Sequence, residues 1–442
     1  MGRLFGTDGI RGIANRDLTP TLATALGRAV GQHLAADGRP VVIGQDTRRS
    51  GDMLSAAVAA GVMSAGADSV HLGVVTTACV AYACADAGVA AGVMVSASHN
   101  PADDNGLKVL VGGYKLDDTG EEALESLMAD PSPDLPGNSG LGRWRQDPAA
   151  LASYREHLRS AAGDALAGLR IGLDCANGSA SHLVPSLFRE LGADVVAIGV
   201  DPDGTNINLD CGATNPQRLA ALVRDEGLAL GFAFDGDADR MIAIDGTGRV
   251  LDGDAVLGIC ATARLAAGRL RHGLLVCSVL SNGGLERAVT QAGGRVVRTA
   301  VGDRHVMTAM LAEDAELGGE QSGHIIFRDL ATTGDGILTA IQLARTVRDA
   351  GGATLAQLAD RIPRLPQVML NSAVRRADAW ADDRVLTTAV AAAELRLRGR
   401  GRVLVRPSGT EPKIRIMVEG DDAGEINEIA RHLQRIAETQ LS

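Results

Sequence analysis

The sequence predicts an α/β protein of four domains: three built on related strand-helix units, and a smaller C-terminal one of α+β type. Three observations carry that expectation. At 442 residues the chain exceeds what one hydrophobic core ordinarily organises, so roughly three or four compact units are expected. Short Val/Ile-rich runs alternate with helical stretches three times over, which suits strands buried on both faces. In each repeat the third strand runs straight into a polar loop, and open α/β sheets bind ligands beyond the carboxyl ends of their strands.

Taken in order, the first repeat reads strand 40–44, helix 51–64, strand 69–75, helix 80–87 and strand 91–95. The second reads strand 170–175, helix 181–191, strand 194–198, helix 216–226 and strand 229–234. The third reads strand 273–279, helix 284–292, strand 295–299, helix 304–313 and strand 316–318. They share no fixed residue period, so the echo is architectural and not a solenoid. The Pro/Ser/Gly-rich stretch 130–142 and the segment 361–366 read as linkers. Two short strands, 403–406 and 414–418, flank the last polar loop, and a helix over 423–439 closes the chain. The domain boundaries expected are 1–150, 151–251, 252–367 and 368–442.

Composition excludes several classes of function. Hydrophobic content of 45% with 22% charged residues is globular, so the whole chain is expected to fold. Only 2% of residues are aromatic and the formal charge is −11, which argues against stacking on nucleic acid or neutralising its phosphates. No apolar run approaches the roughly 18 residues that would span a bilayer, and the first residues lack the apolar stretch of a signal peptide. A cytoplasmic location with no membrane partner is the expectation. Cys79, Cys84, Cys175, Cys211, Cys260 and Cys277 contain no Cys-x-x-Cys pair and read as buried reduced thiols. Asn177-Gly178-Ser179 matches a glycosylation acceptor, a match without meaning if the chain is not exported.

The chemistry-bearing residues sit in the polar loops. Asp235, Asp237 and Asp239 alternate, so a chain bending around a cation can turn all three toward it, and such hard oxygen donors suit Mg²⁺ or Ca²⁺. An EF-hand would need Gly and Glu where Arg240 and Gly246 stand. Between two apolar strands, three carboxylates repel one another unless a counter-ion sits among them. Ser98 follows a buried strand, beside His99 and Asn100, but the Gly-x-Ser-x-Gly of a nucleophile elbow is missing. Spacing alone reads Ser98 as a structural loop serine. Its company of metal loop, Lys108 and cationic loops supplies the parts of a phosphoryl transfer. Asn105-Gly106 reads as a turn, after which Lys108 begins a new element that can reach back to Ser98 or simply face solvent. Arg406, Ser408, Gly409 and Thr410 offer a guanidinium fork, two hydroxyls and a flexible backbone, fit for a phosphate or for an ordinary hairpin. Gly6-Thr7-Asp8-Gly9-Ile10-Arg11-Gly12 is a second glycine-rich loop with an arginine. Glu320 and Ser322 can hydrogen-bond sugar hydroxyls, and His324 either titrates or is a buried, bonded histidine.

With those residues in view, the sequence resembles the α-D-phosphohexomutase superfamily from end to end, and its phosphoglucosamine mutase branch most closely. The markers are Phe5 to Gly12, Ser96 to Pro101, Asp104 to Lys108, Asp174 to Gly178, Asp203 to Asn208, Asp235 to Arg240, Val301 to Arg304, Gly319 to His324 and Arg406 to Pro412. The resemblance implies a heart-shaped protein with four domains around a central cleft. It implies that Ser98 is phosphorylated and that Asp235, Asp237 and Asp239 hold Mg²⁺ together with a phosphoserine oxygen. Lys108, with Arg11, His99 and His324, would handle proton transfer, and Arg240 would balance charge at the metal loop. Glu320 and Ser322 would contact the sugar, and Arg406, Ser408, Gly409 and Thr410 would hold the phosphate not in transfer. The implied reaction interconverts glucosamine 6-phosphate and glucosamine 1-phosphate through a 1,6-bisphosphate, toward UDP-N-acetylglucosamine.

The chain departs from the family pattern at Thr76-Thr77-Ala78 for Pro-Thr-Pro, at His305 for Tyr, at Ser281-Asn282-Gly283-Gly284 for Ser-Asn-Leu-Gly, and at Val109 and Leu110 for aromatics. These leave open a mutase of glucose or mannose phosphates, or one of a specialised pathway. Gln321, where such relatives often carry Met, leans toward the glucosamine branch. A binding-only regulator is the reading from another class, and the complete set of Ser98, three aspartates and Lys108 stands against it.

Overall fold

A computed structural model describes residues 4–6, 8–130, 134–407 and 413–442. It divides into two compact units, Met1–Leu280 with Ala292–Arg361, and Ser281–Gln291 with Ile362–Ser442. Ser408, Gly409 and Thr410 lie outside the described residues, as do Thr7 and part of the 130–142 linker.

The first unit holds three sheets on one plan. In the first, Val41–Gln45 lies between the parallel strands Ser69–Val74 and Ala91–Val95. The strand Asp104–Val111 then returns antiparallel to Ala91–Val95, and Ile10–Ile13 pairs with its far side. In the second, Arg170–Asp174 lies between Asp194–Ile198 and Leu230–Phe234, all parallel, and Met241–Asp245 returns antiparallel. In the third, Leu274–Ser278 lies between Arg295–Thr299 and Leu317–Gly319, and Ile325–Phe327 returns antiparallel. The three expected units are thus present. Each sheet is completed by an antiparallel return strand, which the sequence reading places only in the second of these sheets, after Asp239, and which makes each polar loop the tip of a hairpin. Val93, Phe232 and Val276 are fully buried, which explains why their strands read as unbroken apolar runs.

Two local expectations fail for identifiable reasons. Asn105-Gly106 is no turn: both residues lie inside the strand Asp104–Val111, which also carries Lys108. Asn105 is buried and its side chain donates to Ser50 Oγ at 2.9 Å. A Cβ on Gly106 would come within 2.4 Å of the Ser96 carbonyl, so this glycine permits close approach of two strands and does not bend the chain. The helix expected at 80–87 runs instead over Thr77–Cys84, because the Thr76 hydroxyl accepts from the Cys79 N–H at 3.1 Å and starts it three residues early.

The second unit is a three-stranded antiparallel sheet with Lys413–Gly420 between Gln367–Ala373 and Gly401–Pro407. The helices Arg384–Leu397 and Ala423–Leu441 bury Leu386, Ile429 and Leu433 against Ile414 and Ile416. Asn282 ties the segment Ser281–Gln291 to this unit, accepting from the Leu365 N–H and donating to the Leu365 carbonyl. All six cysteines are free and buried. Among the described residues no helix is long and apolar enough to cross a membrane.

Candidate active site

The three hairpin tips of the first unit meet. Ser98 follows the strand Ala91–Val95, Asp235 follows Leu230–Phe234, and Glu320 follows Leu317–Gly319. Ser98 stands in a left-handed backbone conformation, φ 54°, uncommon for a residue with a Cβ and a frequent mark of functional loops. Its Oγ donates to Asp235 Oδ2 at 2.5 Å, and both residues are fully buried. The tips of the second and third sheets join through a bridge between Arg240 and His324.

Asp235, Asp237 and Asp239 converge, with candidate ligand oxygens all within 4.8 Å of one another. Left-handed Ala238, φ 55°, lets the loop turn in so few residues. A Cβ on Gly236 would lie 2.6 Å from the Ser98 carbonyl, so only glycine lets the two loops touch. Lys108, 2% exposed, points from its strand into the triad, 2.7 Å from Asp237 Oδ2 and 3.4 Å from Asp239 Oδ2. Among the described residues, Asp237 Oδ1 and Asp239 Oδ1 are buried without a hydrogen-bond partner.

Electrostatics follow from that crowding. Burial, then the charges of Asp239 and Asp237, push the Asp235 carboxyl up to about 7. Burial opposes ionisation of Asp239 too, but Lys108, His324 and Arg240 outweigh it and hold its pKa well below the usual range. Lys108 is raised in turn, its desolvation overcome by Asp237, Asp8 and Asp239. His99 goes the other way, down to about 4, through burial and the adjacent Arg240 and Arg11. Its Nδ1 accepts from Arg240 Nη1 at 3.1 Å and lies 3.4 Å from Ser98 Oγ. His324 sits between two carboxylates, Nδ1 3.7 Å from Asp239 and Nε2 3.6 Å from Asp303. Burial lowers its pKa and these partners more than restore it.

The remaining expected residues are placed as follows. Arg11 pairs with Asp8 and donates to Asn100 Oδ1 at 3.3 Å. Glu320 Oε1 accepts from the Gly302 N–H at 3.0 Å, and Ser322 is exposed. Arg406 lies in the second unit, opposite Arg415 in the strand pair, and burial and that neighbour lower its pKa. Sequence reasoning missed Thr77, whose Oγ1 donates to Asp237 Oδ2 at 2.5 Å from the start of its helix. It also missed Lys115, which bridges Asp8 to Asp303 and so links the first and third sheets' loops. Asp303 stood within a quoted motif, but nothing in the sequence named its partner.

All four models of the phosphoglucomutase/phosphomannomutase family match: α/β/α domain I over residues 2–133, domain II over 152–248, domain III over 252–365 and the C-terminal domain over 369–436. The phosphoglucosamine mutase of Moorella thermoacetica is 51% identical over 442 residues, 99% of each chain. The chain belongs to the phosphoglucosamine mutase branch of this family. That makes it an enzyme of the isomerase class. Among solved structures, a phosphoglucomutase/phosphomannomutase family protein of Burkholderia thailandensis superposes with a TM-score of 0.84 at 25% identity, covering 100% of this chain and 98% of that one. The Aspergillus fumigatus N-acetylphosphoglucosamine mutase, solved with GlcNAc-6P and magnesium, gives 0.70 at 19% identity over 99% and 96%, which establishes the shared fold.

The family implies a metal, and the triad fits one. Three hard carboxylates converge, two of their oxygens are buried without a hydrogen-bond partner among the described residues, and Ser98 Oγ stands against the third carboxylate. Such a donor set suits an oxygen-seeking divalent cation.

Proposed function

We propose that this phosphoglucosamine mutase interconverts glucosamine 6-phosphate and glucosamine 1-phosphate through phosphorylated Ser98 and glucosamine 1,6-bisphosphate. The observation that carries the reading is Ser98 Oγ seated 2.5 Å from Asp235, inside a buried carboxylate triad that also receives Lys108. The choice of sugar rests on the name of the half-identical relative.

In this reading the phosphoryl group passes from Ser98 Oγ to the free oxygen of the bound sugar monophosphate. The Ser98 oxygen takes a proton as the P–O bond breaks, and the sugar hydroxyl loses one as the new bond forms. After the bisphosphate turns over in the site, its other phosphoryl group returns to Ser98 Oγ. Asp235, Asp237 and Asp239 would hold Mg²⁺ with a phosphoserine oxygen. That ion supplies charge neutralisation for the transferring group. Lys108, buried against Asp237 and Asp239 of the same triad, offers both a proton and a positive charge, with His324, His99 and Arg11 around the same loops. Arg240 offsets the triad's charge from the side of His99. Glu320 and Ser322 would orient the sugar, and Arg406, Ser408, Gly409 and Thr410 would bind the resting phosphate.

The test is direct. Purified protein incubated with the 1,6-bisphosphate should gain the mass of one phosphate, and glucosamine 6-phosphate should then yield glucosamine 1-phosphate. Ser98→Ala should abolish both. Wild-type turnover in Ser98→Ala would overturn the phosphoserine mechanism.

A further inference from the structure

Beneath Ser98 lies a buried arginine that the sequence reading did not single out. Arg48 follows the strand Val41–Gln45 of the first sheet, and its side chain is fully buried. A guanidinium has five N–H donors in a fixed fork, and here every one is used. Nε donates to Asp46 Oδ2 at 2.9 Å. One terminal nitrogen donates to the Asp104 carbonyl at 2.9 Å and to the Pro101 carbonyl. The other donates to the carbonyls of Ser98 at 3.0 Å and Asn100 at 2.9 Å. From the second sheet's side, Asn208 Nδ2 reaches the same two carbonyls, at 2.9 and 3.0 Å. The charge of Arg48 is balanced by Asp46, which also accepts from Ser96 Oγ at 2.6 Å, and Ser96 Oγ accepts from the Ser98 N–H at 2.9 Å. Backbone groups on both sides of Ser98 are therefore fixed.

We infer that Arg48 is a positioning residue for phosphoryl transfer: with Asn208 it clamps the serine loop in its left-handed turn, so that Ser98 Oγ meets the carboxylate triad. The inference rests on the phosphoserine reading above. A left-handed serine costs free energy and persists only where surrounding contacts over-determine it. Three carbonyls of that loop and one from the first residue of the strand after it, all gathered by one guanidinium, are such contacts. Arg48 does not touch the reacting atoms. Its effect belongs to the transfer step, where a misplacement of about 1 Å costs on the order of a hundredfold in rate. Lysine, with three donors on a flexible stem, cannot reproduce the fork.

The experiment compares Arg48→Lys and Asn208→Ala with wild type and with Ser98→Ala, on protein shown to be folded by its melting temperature. For each we would measure kcat, KM for glucosamine 6-phosphate, and the rate at which the 1,6-bisphosphate phosphorylates Ser98, read by intact mass. The expected result is a kcat about a hundredfold lower in Arg48→Lys and about tenfold lower in Asn208→Ala. KM should stay within a few-fold, and Ser98 phosphorylation should slow by the same factor as kcat. If Arg48→Lys does not fold, Asn208→Ala carries the decision alone. Folded variants that phosphorylate Ser98 and turn over within threefold of wild type would refute the inference while Ser98→Ala stays inactive. An active Ser98→Ala would instead remove the reading on which it rests.

Discussion

Asp237 is where the first and second sheets meet the chemistry. One of its oxygens receives Thr77 Oγ1 at 2.5 Å and Lys108 Nζ at 2.7 Å, while the other is buried with no partner among the described residues. Asparagine keeps the shape and removes the charge that a hard cation requires. Asp237→Asn should lower kcat/KM about a hundredfold or more, and Mg²⁺ should raise the melting temperature of the wild type but not of the variant. Calorimetry with and without Mg²⁺ checks this, and a variant still stabilised by the ion would place the metal elsewhere. The convergence of the triad was legible in the sequence because three alternating carboxylates carry it locally, whereas spacing alone read Ser98 as a structural loop serine and only its company and the family resemblance gave it a role. Thr77 and Arg48 were not legible, because each acts on partners far along the chain, Thr77 on Asp237 and Arg48 on the loop of Ser98. Only the fold brings those groups together.

The same distinction holds for whole elements. Strands buried on both faces announced themselves by composition, whereas Asn105-Gly106 carried a turn signal that tertiary packing overrode. The family's Pro before Thr77 is here Thr76, which caps the helix Thr77–Cys84 through the Cys79 N–H. Thr76→Ala should therefore cost about 1 kcal/mol, seen as a lower urea midpoint with kcat nearly unchanged. Gly236→Ala tests loop contact instead. Its Cβ would fall 2.6 Å from a backbone carbonyl of the Ser98 loop, so activity should drop at least tenfold with little change in melting temperature. A third element offers a pH signature. His71, on the strand Ser69–Val74, stacks on Trp144 of the neighbouring edge strand with centroids 3.4 Å apart, and burial pulls its pKa from 6.5 down to about 4. The unfolded chain then binds a proton below pH 6.5 that the folded chain refuses, so stability falls as pH drops from 6.5 toward 4. His71→Phe keeps a ring against Trp144 and should flatten that fall by up to one proton. An unchanged slope would show that His71 takes up its proton equally in the folded and the unfolded chain.

At the scale of the molecule, three hairpin tips bring together one serine, one carboxylate triad and the loop of Glu320, and on the proposed reading that apparatus is common to any sugar phosphate the protein accepts. Discrimination has to arise at the sugar's C2, C3 and C4, where the expected contacts are Glu320 and Ser322. Glu320 is held by the Gly302 N–H at 3.0 Å, which anchors its carboxylate to the loop that precedes Asp303. A buried polar group left unpaired by the wrong sugar costs about 1–3 kcal/mol, roughly ten- to a hundredfold in specificity. Glucosamine 6-phosphate should therefore show a higher kcat/KM than glucose 6-phosphate or mannose 6-phosphate when all are assayed together, with the matching 1,6-bisphosphate present to keep Ser98 phosphorylated. Glu320→Ala should lower all three values and narrow the gap between them, whereas Ser98→Ala should remove them without changing their order of binding. A wild-type preference for glucose or mannose phosphate would move the protein to a neighbouring branch of the family. Equal values for all three would mean that Thr76 to Ala78 and His305, two of the places where this chain departs from the family pattern, accompany a relaxed or altered sugar site.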